Sequence, residues 1–563
     1  MKNTFTLFAA FVLIGILTIN IKASPNTLKP KLSIALTQTK QKNIQVELSF
    51  LGSSEGETIL KLNDWGGINN LSTHFQKLHV TDHSGVKLKV VEAQDGEWLV
   101  THQTNEKLVV TYELLANDNQ SSDTSEGYYR PIVNDQLFHA VGHNFLTLPT
   151  HLKGEIEVNL QWYNFEGQST LTSLGSSLPK FNTITSLDNI YQSLFVAASL
   201  KIEERTINGR PLTVSLHGDN WQFKFEEFVD LTETVTQAQR DYFDDHDFPF
   251  YWINVISTGK PMKQGYSFGG TRLHDNFALF LNPSTQLEYD TATGSPIVHL
   301  LMHEMMHVWI GGKLTPDTEH SDEGTYYWFS EGFTNYFTRQ VLLQSGLLTQ
   351  QQYEASLNDV FKKYNENPVN AASNQEIADN FWKSRNHQLL PYQRGDLIAL
   401  YLDHMLQDTR LKQLLVQWIQ DEKFRNFKLN DFYNSVKTLL PKHAFEKLKL
   451  FIESGQLPDW SDLNKPNCMN ISHSMVYEWA SGFDHQSTLK SHIITGVKAD
   501  SAAYKAGLRD GQKLTSISMH YGDTSKNVSV GVEGMEEPML YLPVGNGIKI
   551  PQVKLTGISC IVE

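Results

Sequence analysis

Basic residues are in short supply: 47 Lys and Arg stand against 62 Asp and Glu, a net charge of −15. That balance argues against nucleic acid as the main partner, because phosphate binding needs a clustered basic surface. Cysteine is almost absent, with Cys468 and Cys560 alone in the chain. No Cys follows the apolar start of the sequence, which counts against a lipid-anchored lipoprotein. Beyond that start there is no run apolar enough to span a bilayer. No internal repeat and no long low-complexity block occurs. No Gly-rich phosphate loop precedes a helix, so a nucleotide-binding reading gains nothing.

What is present fits a globular chain of several domains: 40% hydrophobic and 19% charged residues over 563 positions, too many for a single core. Met1-Lys2, the apolar stretch Phe5 to Ile19 and the small residues at Ala23-Ser24 read as a secretory signal peptide, residues 1–23. Export to a periplasm or to the outside is the expectation, with an uncleaved anchor helix as the alternative. In an oxidising compartment Cys468 and Cys560 can pair. The bridge would close a loop of roughly 90 residues, worth about 4 kcal/mol on a chain-entropy model.

Short alternating runs such as Leu32-Ser33-Ile34-Ala35-Leu36 and Ile44-Gln45-Val46-Glu47-Leu48 predict an N-terminal β domain, residues 29–185, of the sandwich type with two packed sheets. A few strands and then mainly helices fill residues 186–460; Leu411 to Ile419 shows the helical period. Breakers from Pro458 to Pro466 read as a linker, followed by a β-rich segment, 468–563. The expected class is multidomain α+β.

His303-Glu304-Met305-Met306-His307 carries the chemistry. Two His four residues apart fall on one face of a helix, a turn from each other. Two neutral imidazoles suit Zn2+. Glu304, about 100° round the helix, is placed to take a proton from water and return it to a leaving amine. Downstream, Trp328-Phe329-Ser330-Glu331-Gly332-Phe333-Thr334 offers Glu331 as a third ligand, with Ser330 as the cap of a helix opening at Glu331. In Tyr392-Gln393-Arg394-Gly395, ahead of another helix, a Tyr or Arg can hydrogen-bond a developing oxyanion.

Other motifs carry less. His139 and His143 are also four apart, but no Glu follows the first and Gly142 weakens a helix there, so packing or surface roles are expected. Gly265-Tyr266-Ser267-Phe268-Gly269 matches a serine-hydrolase elbow, yet a second Gly and a strand-like run follow where a helix is needed. The acidic run from Asp317 to Glu323 is a solvated loop by default, and it can also line a cleft and favour basic substrates.

These motifs and their order resemble the glycyl-aminopeptidase-like metallopeptidases among the thermolysin-like gluzincins. The resemblance implies an N-terminal β domain, a thermolysin-like zinc peptidase domain and a C-terminal PDZ module. It also implies Glu331 as zinc ligand, Tyr392 as oxyanion stabiliser, and Asn335 orienting a zinc-bound His. Ile494-Thr495-Gly496-Val497 and Asp500 to Gly511 look like PDZ segments, with Gly482-Phe483 as the carboxylate-binding loop. Such a module would take an extended peptide ligand by strand addition.

One stretch departs from the family. Where a Gly-Gly-Leu-Glu-His segment is usual, with an acid for the substrate's amino group, this chain has Gly269-Gly270-Thr271-Arg272-Leu273-His274-Asp275. The glycines permit close approach of a peptide beside an edge strand. Arg272 would repel an ammonium and welcome a carboxylate, and Asp275 is the substitute acid if the loop shifts. The reading is therefore a zinc metallopeptidase acting on peptides or proteins, with exo- and endopeptidase both open. An aminopeptidase N-like exopeptidase is one alternative; a non-catalytic peptide-binding scaffold is the other.

Overall fold

The computed structural model describes residues 29–557 apart from 64–67, 69, 118–128, 176–177, 247–250, 260, 263–267, 288–290, 319–321, 407–408 and 466. The apolar leader, Ser267 and Cys560 lie outside the described residues.

In the N-terminal region every second side chain is apolar, and the strands bury that face. Leu32, Ile34 and Leu36 of Lys31–Gln38 are fully buried, as are Ile44, Val46 and Leu48 of Ile44–Leu51. Six strands form one sheet in the order Lys180–Thr185, Ile156–Tyr163, Lys31–Gln38, Ile44–Leu51, Lys107–Leu114, Phe75–Asp82. A four-stranded sheet containing Glu57–Lys61 and Glu97–Thr101 shares its core through Leu60, Trp98 and Val100. The β layer reaches beyond residue 185: Leu194–Ala198 pairs with Ser169–Thr172 and Leu137–Val141 in a third sheet, because its five residues are all buried.

The helical region is built on a five-stranded sheet, ordered Lys201–Ile207, Arg210–His217, Tyr251–Ser257, Asn276–Leu281, Phe268–Leu273. Gly269 to Leu273 is itself the edge strand, and the apolar run Phe277 to Leu281 is its inner neighbour. One face of this sheet, with Val214, Ile253, Phe277 and Leu279, packs on the helices Phe225–Phe243 and Pro296–Met306. The other face, with Trp252, Ile256, Ala278 and Phe280, shares a core with Leu137, Val141, Leu194 and Val196 of the third N-terminal sheet. There His139 lies edge-on to Phe280, with ring centroids 5.4 Å apart, and His143 stacks on Tyr191. Both are packing residues.

Breakers do not make residues 458–465 a free linker. Trp460 opens the short 3-10 turn Trp460–Leu463 and buries its ring edge-on against Phe361, at 4.9 Å, and Phe451. Beyond it, Met469–Trp479 pairs with Val544–Leu555, and Leu514–Ser518, Val528–Val532 and Met539–Tyr541 form a small sheet around Ile494, Ala503 and Leu508. Gly482-Phe483 leads directly into the helix His485–Ser491. The ribbon is docked on the helix Gln350–Glu366. Asn358 donates to the Val553 carbonyl at 3.0 Å and accepts from its N–H at 2.7 Å, and Glu354 accepts from the Leu555 N–H. Side chains thus satisfy a strand edge that would otherwise be bare. Cys468 is disulfide-bonded. Among the described residues no helix is long and apolar enough to cross a membrane.

Candidate metal centre and active site

Pro296 starts the helix Pro296–Met306, and Ile297, Leu301, Met302, Met305 and Met306 anchor its buried face. His303 and Glu304 stand on the opposite face, and His307 closes the helix as its C-terminal cap. Glu331 arrives from a second helix. Ser330 does not cap it: the helix begins as a π-helical turn, Trp328–Phe333, and continues without a break as Thr334–Gln344. Wide π turns of this kind recur at functional sites because they re-aim side chains. The Glu331 carboxylate comes within 3.3 Å of His303 Nε2 and 3.6 Å of His307 Nε2.

This donor set fits zinc. Ligands bonded at about 2.0–2.2 Å in a tetrahedron sit roughly 3.4 Å from one another, close to both separations. Each imidazole also has its other nitrogen fixed. His303 Nδ1 is 2.8 Å from Asn335 Oδ1, and His307 Nδ1 is 3.1 Å from the Ile310 carbonyl. Both partners can only accept, so Nδ1 carries the hydrogen in each ring and Nε2 keeps a free lone pair. Burial opposes ionisation of Glu331. Without a metal, His307 and His303 rings protonated on the nitrogen facing it outweigh burial and hold the carboxyl well below its usual range.

Glu304 is the opposite case. Burial first, and then the Glu331 charge, push its carboxyl up to about 7, although the His303 imidazole and a hydrogen bond from the Arg272 backbone N–H pull the other way. Such a group exchanges a proton with water near neutral pH. Tyr392 completes the ring of groups. It stands inside the long helix Arg385–Met405, not before one, and its ring lies over His303 at 6.0 Å. Burial, followed by Glu331 and Glu304, raises its phenol well above the ordinary value, so it remains a hydrogen-bond donor.

Two cavities flank these residues. One, of about 480 Å³, is bounded by Pro296, His299, Thr338, Asp359 and Val360 and reaches His303, Glu304 and Tyr392. The other, of about 580 Å³, runs beside the edge strand at Gly270, Thr271 and Arg272 and reaches Glu304, His307, Glu331 and Tyr392. Asp275 does not line either. It sits at the hairpin turn with φ 51°, paired with His274 at 3.3 Å. Gly269 is on the edge strand without lining the cavities. The Arg272 side chain is buried, which lowers its pKa, and the Asp275 carboxylate acts against that drop.

Tyr129, from the N-terminal region, also lines the second cavity, along with Glu323, Tyr327, Phe381 and Trp382. The acidic run gave a signal for Glu323. Nothing local marks Tyr129, which comes from some 175 residues before Glu304 by their numbering.

The fold and the His-His-Glu donor set define a zinc-dependent metallopeptidase, with Zn2+ as its cofactor. Residues 297–398 match the family model of M61 glycyl aminopeptidase, and residues 31–192 match that of the peptidase M61 N-terminal domain. Both matches support a glycyl-aminopeptidase-like zinc peptidase. An aminopeptidase N family protein from Idiomarina loihiensis shares its fold, with TM-score 0.69 and 17% identity over 94% of this chain and 99% of that one. An M1 zinc metallopeptidase from Deinococcus radiodurans is similar at TM-score 0.49 and 13% identity, covering 77% of this chain and 94% of that one. No curated protein matches the chain significantly.

Proposed function

We propose that this protein is an exported metallopeptidase that hydrolyses peptide bonds with a water activated by Glu304. The observation that carries this reading is the convergence of a carboxyl poised near neutral pH, Glu304, with three facing donors and a phenol held protonated. His303, His307 and Glu331 would hold the zinc. Zinc, when bound, supplies Lewis acidity, lowering the pKa of a bound water to about 7 and polarising a carbonyl. Glu304 takes the proton of the attacking water and passes it to the leaving amine. Tyr392 donates its hydroxyl to the oxygen on which negative charge grows as the carbonyl carbon becomes tetrahedral. Asn335 fixes the His303 ring through its Nδ1. The edge strand offers backbone groups along which an extended substrate can lie.

Purified protein is expected to carry about one zinc per chain and to cleave peptides. Glu304→Gln should keep the metal and lose activity by about 10²–10⁴-fold; full activity in that variant would move the base elsewhere. Export rests on the sequence of residues 1–23, and N-terminal sequencing of the mature protein tests it. A start at Ser24 supports cleavage, and an intact Met1 on a membrane-bound protein supports the anchor. The C-terminal segment is proposed as a PDZ-like module that takes a peptide, on the likeness of residues 494–511 alone.

Cavities on both sides of Glu304 favour a cleft that a chain can cross. A free amino terminus is the second reading, supported by the family likeness.

A further inference from the structure

We propose that Glu323 is the cation-binding residue of this cleft. It would hold a substrate ammonium or guanidinium on the edge-strand side of the scissile bond, while Tyr327, Phe381 and Trp382 pack along the carbon chain that bears it. The inference rests on the peptidase reading above and adds what the cleft selects.

The cavity beside the edge strand holds three carboxylates, Glu304, Glu331 and Glu323. The first two serve the reaction and the metal, which leaves Glu323 without a task. It is exposed to solvent at the cavity wall. Besides partial desolvation at the cavity wall, the charges that act on it are those of Glu331 and Asp322, both negative, and no cation among the described residues offsets it. A bound cation would relieve that repulsion.

The backbone that carries this carboxylate is also held in place. Glu323 opens the 3-10 turn Glu323–Tyr326, capped by Asp322, which accepts from the Gly324 N–H at 2.9 Å. A Cβ on Gly324 would lie 2.8 Å from Ala378 Cα, so the turn is clamped against the helix Asn374–Asn380. That same helix leads to the aromatic wall. The Tyr327 and Phe381 rings are 4.4 Å apart, Trp382 sits edge-on to Phe381 at 5.0 Å, and Trp382 remains 61% exposed. Aromatic faces beside a carboxylate on a clamped turn suit an alkyl chain ending in a cation. Arg272 does not cancel this field. It lines the same cavity, but the carboxylate that acts on it is Asp275, and it is not among the charges that act on Glu323.

The cation has two possible sources: the free amino terminus of the substrate, or a Lys or Arg side chain before the scissile bond. Three matched peptides separate them, one with a free terminus and neutral side chains, one acetylated with Arg before the bond, and one acetylated and neutral. The measurement is the ratio of kcat/KM for each cationic peptide to the neutral one, in wild type and Glu323→Gln. Wild type should favour at least one cationic peptide, and Glu323→Gln should cut that ratio by about 10–100-fold, the scale of a charged hydrogen bond. Loss on the free-terminus peptide makes Glu323 the amino-terminus anchor; loss on the Arg peptide makes the enzyme an endopeptidase for basic sites. A ratio unchanged by the substitution, or no cationic preference in wild type, overturns the proposal. Glu323→Lys gives an independent check, since it should turn the preference toward a peptide with Glu in place of Arg. Failure of zinc-loaded wild type to cleave any of the three would instead sink the peptidase reading.

Discussion

At the scale of single residues, the site works because each metal-facing atom has its opposite side tied down. Asn335 Oδ1 accepts from His303 Nδ1 at 2.8 Å, and the Asn335 amide nitrogen reaches the Tyr392 carbonyl at 3.5 Å. One side chain therefore links the ligand to the helix that carries the phenol. Asn335→Ala should weaken zinc binding by about 10–100-fold, read by competition with a chelator, while the fold stays intact by circular dichroism. Tyr392→Phe removes only a hydroxyl. Its kcat should fall by about 10²–10³-fold with KM little changed, because the lost hydrogen bond belongs to the transition state. A matching rise in KM would show that Tyr392 binds substrate instead.

Among the elements, the contact between the π turn Trp328–Phe333 and the helix Arg385–Met405 decides the geometry. A Cβ on Gly395 would sit 1.9 Å from the Trp328 carbonyl oxygen, and one on Gly332 would sit 2.2 Å from Gly395 Cα. The two backbones touch, and that closeness brings Tyr392 over the metal donors. Gly in this motif is thus a packing requirement and not a turn. Gly395→Ala must push the helices apart, at a cost of about 1–3 kcal/mol or more. The expected result is a lower Tm together with reduced kcat, since Tyr392 and Glu331 move relative to each other. A variant with normal activity and normal Tm would show that the interface yields without moving the site. The buried Arg339–Asp396 ion pair ties the same two helices together beside this contact.

For the whole molecule, the N-terminal β layer is part of the enzyme's structure and not an appendage. The catalytic sheet has one face on the helices and the other on the third N-terminal sheet, and Tyr129 reaches the cleft across that junction. His139 lies in the junction, where burial pushes its pKa down to about 3; His143 and His404 are pushed down to about 4 by burial as well. All three are neutral when folded. In the unfolded chain they take protons below about 6.5, so the unfolded state binds more protons as pH falls. The stability is complete above pH ~6.5 and is lost as pH falls toward the folded values, about 4 for His143 and His404 and about 3 for His139. Thermal unfolding should show Tm dropping steadily from pH 7 to pH 5. His139→Leu should flatten part of that drop, and an unchanged slope would assign it to other groups.

The sequence was enough for the chemistry that lies within one or two helical turns. His303, Glu304 and His307 follow from spacing alone, since a helix has a fixed pitch. Alternation marked the N-terminal strands, because one face of a sheet must be buried. Glu331, Tyr392 and Asn335 were legible through family likeness, and their separations become physical only when two helices cross. The error over Ser330 and the placing of Tyr392 before a helix share a cause. A π turn and a helix running through Pro391 are stabilised by tertiary packing, which local propensity does not register. Asp275 was a candidate because it is near Arg272 in sequence, but a hairpin turn with positive φ carries it away from the cleft. Tertiary structure alone brought Tyr129 and Trp382 to the metal site and set Glu323 beside an aromatic wall. Such groups meet through the packing of separate sheets and helices, and no period along the chain encodes that distance.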